Sequence, residues 1–329
     1  MRVLLTGAFG NIGESAMLAL LKTDHDVCSL ELRTPRNEKV MNRLLQRREF
    51  ATFWGDIRDS EVVLNAMKDV ECVIHLAAII PPASDRNPDL TRSVNVGGTE
   101  NILDAAQELG STPKIIYASS IATYGHCTGS GPPKTADDPQ VATDLYTETK
   151  IQSEQLIRQR HFPWTILRFG VVPPLNLNWF EAARDPYIFT IPLEQRIEFI
   201  HTRDIGLAIA NAVSAETNGK ILLLGGGERC RMTYREFISR TFETVGMSML
   251  PDSAFLNPTC DEEYFHTDWM DTDEAQRLLQ FQTKTFDDYL KELRSTIGMK
   301  RYLVRLGRGL AKRQLLSRSP YYRANLSQQ

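Results

Sequence analysis

The sequence predicts an α/β protein built on a doubly wound parallel sheet, with a smaller C-terminal region beside it. Three observations carry that expectation. Short β-rich runs alternate with helical patterns from the first residues to about residue 170, which is how βαβ units read in sequence. A glycine-rich turn joins the first run directly to the first helix, and an acid closes the second run.

The runs come in order. RVLLT at 2–6 is followed by a helix over 11–22, and VCSLEL at 27–32 by a second helix. FATFW at 50–54 precedes a third helix, and CVIHLAA at 72–78 is the fourth strand candidate. A long helix over 94–109, KIIYASS at 114–120, a helix near 146–160 and WTILRF at 164–169 complete six strand candidates. Between 171 and 200 the pattern breaks, with prolines at 173, 174, 186 and 192, and reads as an irregular cap. HTRDIGLAIANAV and ILLLGG restore a helix and a strand before a mostly helical stretch to about 298. The implied division is 1–170 completed by 197–227, a cap from 171–196 and 228–298, and a tail over 299–329.

Composition sets outer limits. A chain of 329 residues has room for about two domains. With 42% hydrophobic and 24% charged residues it is neither collagenous nor disordered. The N-terminus enters a strand at once rather than a secretory-type apolar run, and the most apolar stretch, 73–83, falls far short of the ~18 residues of a spanning helix. Cys28, Cys72, Cys127, Cys230 and Cys260 are odd in number and form no CxxC pair, so buried free thiols in a reducing cytoplasm, and no metal, are expected.

The charge is uneven. Residues 299–329 carry eight Lys or Arg and no acid, leaving −11 on the rest of a chain whose total is −3. Nucleic-acid binding is therefore not expected; only the tail could attract an anionic surface. In it, Arg301, Arg305, Arg308 and Lys312 point away from Leu303, Leu306 and Leu310 at about 100° per residue. That pattern fits an interfacial helix on anionic lipid or an acidic partner. Gly307 and Gly309 oppose a helix at about 1 kcal/mol each, which fits a solvated flexible tail instead.

The chemistry gathers at three places. TGAFGNIG puts Gly7, Gly10 and Gly13 at the mouth of the first helix. There the backbone N–H groups, those of Asn11 and Ile12 among them, can approach a pyrophosphate, as in a Rossmann-type dinucleotide turn. Glu31, eighteen residues after Gly13, can accept from ribose hydroxyls and repel a 2′-phosphate, favouring NAD over NADP. Arg33 and Arg36 follow it and could still accommodate NADP.

Tyr146 and Lys150 share one helical face, and Tyr146 is the only tyrosine of ten with a lysine four residues on. A tyrosine of pKa about 10 needs roughly 4 kcal/mol to reach neutrality. An ammonium about 4 Å away supplies that order of energy at an effective dielectric of 20. Ser120 ends the fifth strand run, where a hydroxyl faces the ligand crevice of a parallel sheet, with Ser119 its competitor.

Together these residues resemble the extended short-chain dehydrogenase/reductase family, its NAD-dependent epimerase/dehydratase group, over about residues 1–210. MRVLLTGAFGNIG through DVCSLEL is similar to the UDP-galactose 4-epimerases of that family. The resemblance implies that Asp56, beside Ile57, contacts adenine, that Leu76, Ala77 and Ala78 line the cofactor, and that Asn95 supports it. It implies a Ser120, Tyr146, Lys150 triad, substrate contact by Ser120, Tyr146 and Arg196, and structural roles for His201 and Asp204. It further implies a homodimer through the 94–109 and 146–160 helices.

Departures from the pattern shape the reading. Ser120 is followed by Ile121 and Ala122 rather than by acids, which disfavours dehydration. GVVPP stands after WTILRF where epimerases carry an asparagine, and only 27 residues separate Arg168 from Arg196. The expected function is hydride transfer at a secondary alcohol of a sugar or nucleotide sugar, with NAD as cofactor. The alternatives are a dehydrogenase or reductase of a smaller alcohol or ketone, resembling 3-beta-hydroxysteroid dehydrogenase or dihydroflavonol reductase, and a non-catalytic NAD sensor.

Overall fold

The computed structural model describes residues 1–175 and 186–326. Seven parallel strands run in the order β3-β2-β1-β4-β5-β6-β8. They are β1 Arg2–Thr6, β2 Asp26–Glu31, β3 Ala51–Trp54, β4 Cys72–His75, β5 Lys114–Ser120, β6 Trp164–Phe169 and β8 Lys220–Leu224. The crossover helices include α1 Asn11–Leu20, α2 Pro35–Leu45 and α3 Ser60–Ala66. Two short helices, α4 Ala83–Arg86 and α5 Pro88–Arg92, precede α6 Gly98–Glu108, and α7 is Leu145–Gln159. The order reverses between β1 and β4, where Thr6 pairs with His75 at the strand ends. A topological switch of this kind opens a crevice beyond the carboxyl ends.

Alternation along the strands feeds two cores. Val3 and Leu5 of β1 pack with Met17 of α1 and Ile209 of the Thr202–Ser214 helix. Leu4 faces the other way, toward Val63 of α3 and Ile102 of α6. A sheet covered on both faces reads as nearly continuous apolar runs for this reason. The Thr202–Ser214 helix approaches α1 closely: a Cβ at Gly206 would stand 2.4 Å from the Ser15 carbonyl oxygen.

The structure corrects the sequence reading in four places. The helix expected over 94–109 is a π-helical turn, Ser93–Gly97, running into α6. The broken segment and the region after residue 228 contribute β7 Arg196–Glu198 and β9 Arg231–Thr233, an antiparallel pair; three residues each are too few to show a period in sequence. Cys260 is exposed while the other four cysteines are buried. The described part of the tail, through residue 326, folds back as helices Lys300–Leu306, Arg308–Leu316 and Tyr322–Leu326 rather than trailing. Leu315 of the second is buried with Phe189, Phe242 and Phe255. The expected cap is described only in part, since 176–185 lie outside the described residues.

Candidate active site

The first turn of α1 begins at Gly10, which offers no side-chain cap. Gly7 adopts φ +72°, the left-handed region that favours glycine, and a Cβ there would meet the Ala77 nitrogen at 2.8 Å. A Cβ on Gly13 would lie 1.9 Å from the Gly7 carbonyl oxygen, so α1 can follow β1 this tightly only with glycine there. The glycines therefore hold a bare helix N-terminus against the Leu76–Ala77 backbone, and that cradle fits a pyrophosphate.

Glu31 reaches into the same turn: its Oε1 accepts from the Phe9 N–H at 3.0 Å. Burial pushes its carboxyl up to about 7, against the backbone N–H groups of Phe9 and Ala8 and the charge of Arg36. Asp56 at the next strand end is gripped by Arg58, with Nη2 to Oδ2 at 2.6 Å, and that hydrogen bond holds its carboxyl below the usual range. Ile57 is buried against Gly98. Arg33 bonds Glu38 at 2.8 Å rather than reaching the turn.

Tyr146 stands in the first turn of α7, which Asp144 starts with a capping box: its carboxylate accepts from the Thr147 N–H at 2.7 Å. The Ser120 hydroxyl lies near enough to the Tyr146 phenol to hold its pKa down, and its Oγ accepts from the Ala122 N–H at 3.2 Å. Ser119, pointing to the other side of β5 as strand alternation requires, is spent on Glu154. Lys150, one turn beyond Tyr146, is buried, and its Nζ donates to the Ala118 carbonyl at 2.8 Å. That ammonium stands 4.8 Å from the Tyr117 ring centre and 5.9 Å from that of Tyr146.

The electrostatics depart from the expected phenol activation. Burial pushes the Tyr146 phenol up to about 12, with the nearby Ser120 hydroxyl opposing it. Burial also lowers Lys150 to about 8, with Glu154 acting the other way. The reason is geometric: the ammonium is turned onto a main-chain carbonyl and two ring faces, so it brings the phenolic oxygen no resolved relief.

A buried polar lattice positions this helix. Asn95 accepts from the Ile79 N–H at 2.7 Å and donates to the Ile79 carbonyl and to Thr149 Oγ1, each at 3.0 Å. Its amide is thus occupied in pinning the loop after β4 to α7. His75 bridges Thr6 Oγ1 at 2.8 Å and Thr99 Oγ1 at 3.1 Å. Burial, then the charge of Lys150, lowers its ring pKa to about 3, so it acts as a neutral strut. Sequence reasoning missed Glu154, Arg168 and Tyr117. A charge inside the apolar run WTILRF and an acid four residues after Lys150 were the available signals.

Arg196 on β7 has partners of its own. Its Nη1 donates to the Gly131 carbonyl at 2.9 Å and stands 3.7 Å from Asp268, and its guanidinium stacks 4.4 Å from the Trp269 ring centre. Asp204 accepts from the Thr283 hydroxyl at 2.6 Å and the Lys284 N–H at 2.9 Å, and His201 Nδ1 accepts from the Arg203 N–H at 3.1 Å. Both brace the Thr202–Ser214 helix.

Residues 3–225 match the family model described as the NAD dependent epimerase/dehydratase family. The chain is 32% identical over 161 residues to a 3 beta-hydroxysteroid dehydrogenase/Delta 5→4-isomerase of Mycobacterium tuberculosis, covering 47% of this chain and 42% of that protein. It is 30% identical over 166 residues to a UDP-glucose 4-epimerase of Bacillus subtilis, covering 49% and 48% respectively. It thus spans about half the length of the curated relatives it matches. UDP-glucuronic acid 4-epimerase from Bacillus cereus, solved with UDP-glucuronic acid and NAD, superposes with a TM-score of 0.74 at 22% identity, over 90% of this chain and 99% of that one. A likeness at that identity shows a shared fold.

Proposed function

Because the chain belongs to the NAD dependent epimerase/dehydratase family, we propose that it binds NAD at the β1–α1 turn and oxidises a secondary alcohol of a sugar or nucleotide sugar. The observation that carries this reading is the Ser120 hydroxyl placed near the Tyr146 phenol, one helical turn from a buried Lys150. Gly7, Gly10, Asn11, Ile12 and Gly13 would hold the pyrophosphate, and Glu31 the adenosine ribose. Asp56, Ile57, Leu76, Ala77 and Ala78 border that path, and Glu31 favours NAD over NADP.

Bound there, the nicotinamide supplies a hydride acceptor and, when oxidised, one more positive charge. Ser120 orients the substrate oxygen, and Tyr146 exchanges the hydroxyl proton. With its pKa near 12, Tyr146 is a proton donor at rest; in the oxidising direction its proton must leave before it can accept one. Lys150 Nζ stands 5.9 Å from its ring centre, and its place on α7 suits it to hold the ribose. Asn95 is a positioning residue in this scheme. A homodimer through α6 and α7 and a cytoplasmic setting belong to the same proposal.

The test is turnover across a panel of UDP-sugars, sugar acids and hydroxysteroids with Tyr146→Phe beside the wild type. The expected result is loss of at least about a hundredfold in kcat, with NADH binding retained. Unchanged turnover in the variant defeats the assignment.

One observation favours a second reading, a dehydrogenase of a smaller substrate. Arg196, which the resemblance gives to a substrate pyrophosphate, is already engaged by Asp268, Gly131 and Trp269. Net accumulation of NADH with substrate identifies the dehydrogenase; conversion with no net NADH identifies the epimerase.

A further inference from the structure

We propose that the C-terminal segment from Met299 to Arg313 is a docking face for an anionic phospholipid surface. Among the described residues, Met299, Tyr302, Leu303, Leu306 and Leu310 make up five of the ten exposed large hydrophobics, all within 299–310. Leu303, Leu306 and Leu310 are 69%, 84% and 76% exposed. Such a row on a loose end would mean little, but this one is held in place. Leu315 is buried in the C-terminal core, Asn325 Nδ2 donates to the Ser253 and Phe255 carbonyls at 3.1 and 3.2 Å, and Gly246 leaves room for the Arg301 backbone.

Interleaved in sequence with the leucines, Arg301, Arg305 and Arg308 join Arg294 in lining a cavity of about 520 Å³ in which, among the described residues, Glu243 is the one acid. Several arginines elsewhere are paired, as Arg43 is with Glu14, Arg92 with Glu148 and Arg160 with Asp104. Among the described residues none of these four is in an ion pair with a carboxylate; Arg301 Nη2 donates to the Tyr302 hydroxyl at 2.7 Å. Unpaired guanidinium forks suit phosphate oxygens, and exposed leucines on the same short helices suit the boundary between headgroups and acyl chains. The charge division selects the partner. Eight cations and no acid lie in 299–329, so a second copy of this face would be repelled, whereas an anionic leaflet satisfies cations and leucines together.

The experiment uses the full chain in flotation with phosphatidylcholine vesicles, alone or carrying about a third phosphatidylserine. Binding is expected on the mixed vesicles only, weakening as salt rises. Leu303→Ser/Leu306→Ser/Leu310→Ser and Arg301→Gln/Arg305→Gln/Arg308→Gln should each weaken it at least about tenfold, with thermal unfolding near that of the wild type. Leu306→Ser alone, at the most exposed position, should give a smaller loss in the same direction. Absence of wild-type binding to mixed vesicles, equal binding to neutral ones, or undiminished binding by the leucine variants overturns the proposal. So does lipid-free self-association that the leucine changes abolish, which would assign the face to a second copy.

Discussion

Arg168 on β6 and Glu154 on α7 form a two-point ion pair, Nε to Oε1 at 3.0 Å and Nη2 to Oε2 at 2.7 Å, with side chains 2% and 1% exposed. The remaining valences are also used: Tyr124, Gln140 and Ser119 bond the pair. This clamp fixes the helix that carries Tyr146 and Lys150 to the sheet that carries Ser120, so the geometry of the candidate active site depends on a pair that does not belong to it.

Removing one member should therefore cost more than removing both. Arg168→Met leaves a buried carboxylate without its cation and is expected to lower stability by about 3–5 kcal/mol in urea unfolding. Arg168→Met/Glu154→Leu should recover much of that loss. A single variant within 1 kcal/mol of wild type, by the same principle's scale, would contradict a desolvated pair.

Cofactor affinity should follow the ionisation of Glu31. Its carboxyl is raised to about 7 by burial, so near pH 6 most of it is protonated and has lost acceptor capacity for ribose hydroxyls. Binding to the ionised form releases a proton, so affinity rises with pH and levels off above 7. NADH titrations between about pH 6 and 8 should tighten by up to about tenfold. Glu31→Gln should flatten the profile, and a wild-type affinity that falls with pH would reverse the sign.

Two glycines make opposite predictions. Gly13→Ala forces a Cβ to 1.9 Å from the Gly7 carbonyl oxygen and should abolish NADH binding or folding. Gly97→Ala meets nothing within 4 Å at an ordinary helical φ of −60°. It should stabilise the protein by about 0.5–1 kcal/mol, read as a raised Tm.

Thiol reactivity should single out one cysteine. Cys260 is exposed, whereas burial pushes Cys72 up to about 12 and Cys127 and Cys230 up to about 11, and Cys28 is also buried. A maleimide probe on the native protein should label one site rapidly, and Cys260→Ser should remove that phase. Two or more fast sites would show that the core opens readily.

Much of this protein is legible along its chain. The apolar runs of the parallel strands, the glycine turn and the shared face of Tyr146 and Lys150 each depend on spacings of a few residues, the range over which backbone periodicity acts. What the sequence left open involves partners far apart in the chain. Strand alternation turned Ser119 inward to Glu154, 35 residues on, and left Ser120 on the side of the phenol. The Ala118 carbonyl, 32 residues away, took the Lys150 ammonium. Asp268 and Trp269 engaged Arg196, and Leu315 seated the basic tail. Packing decides such pairings, because desolvation and hydrogen-bond competition exist only once distant segments share an interior.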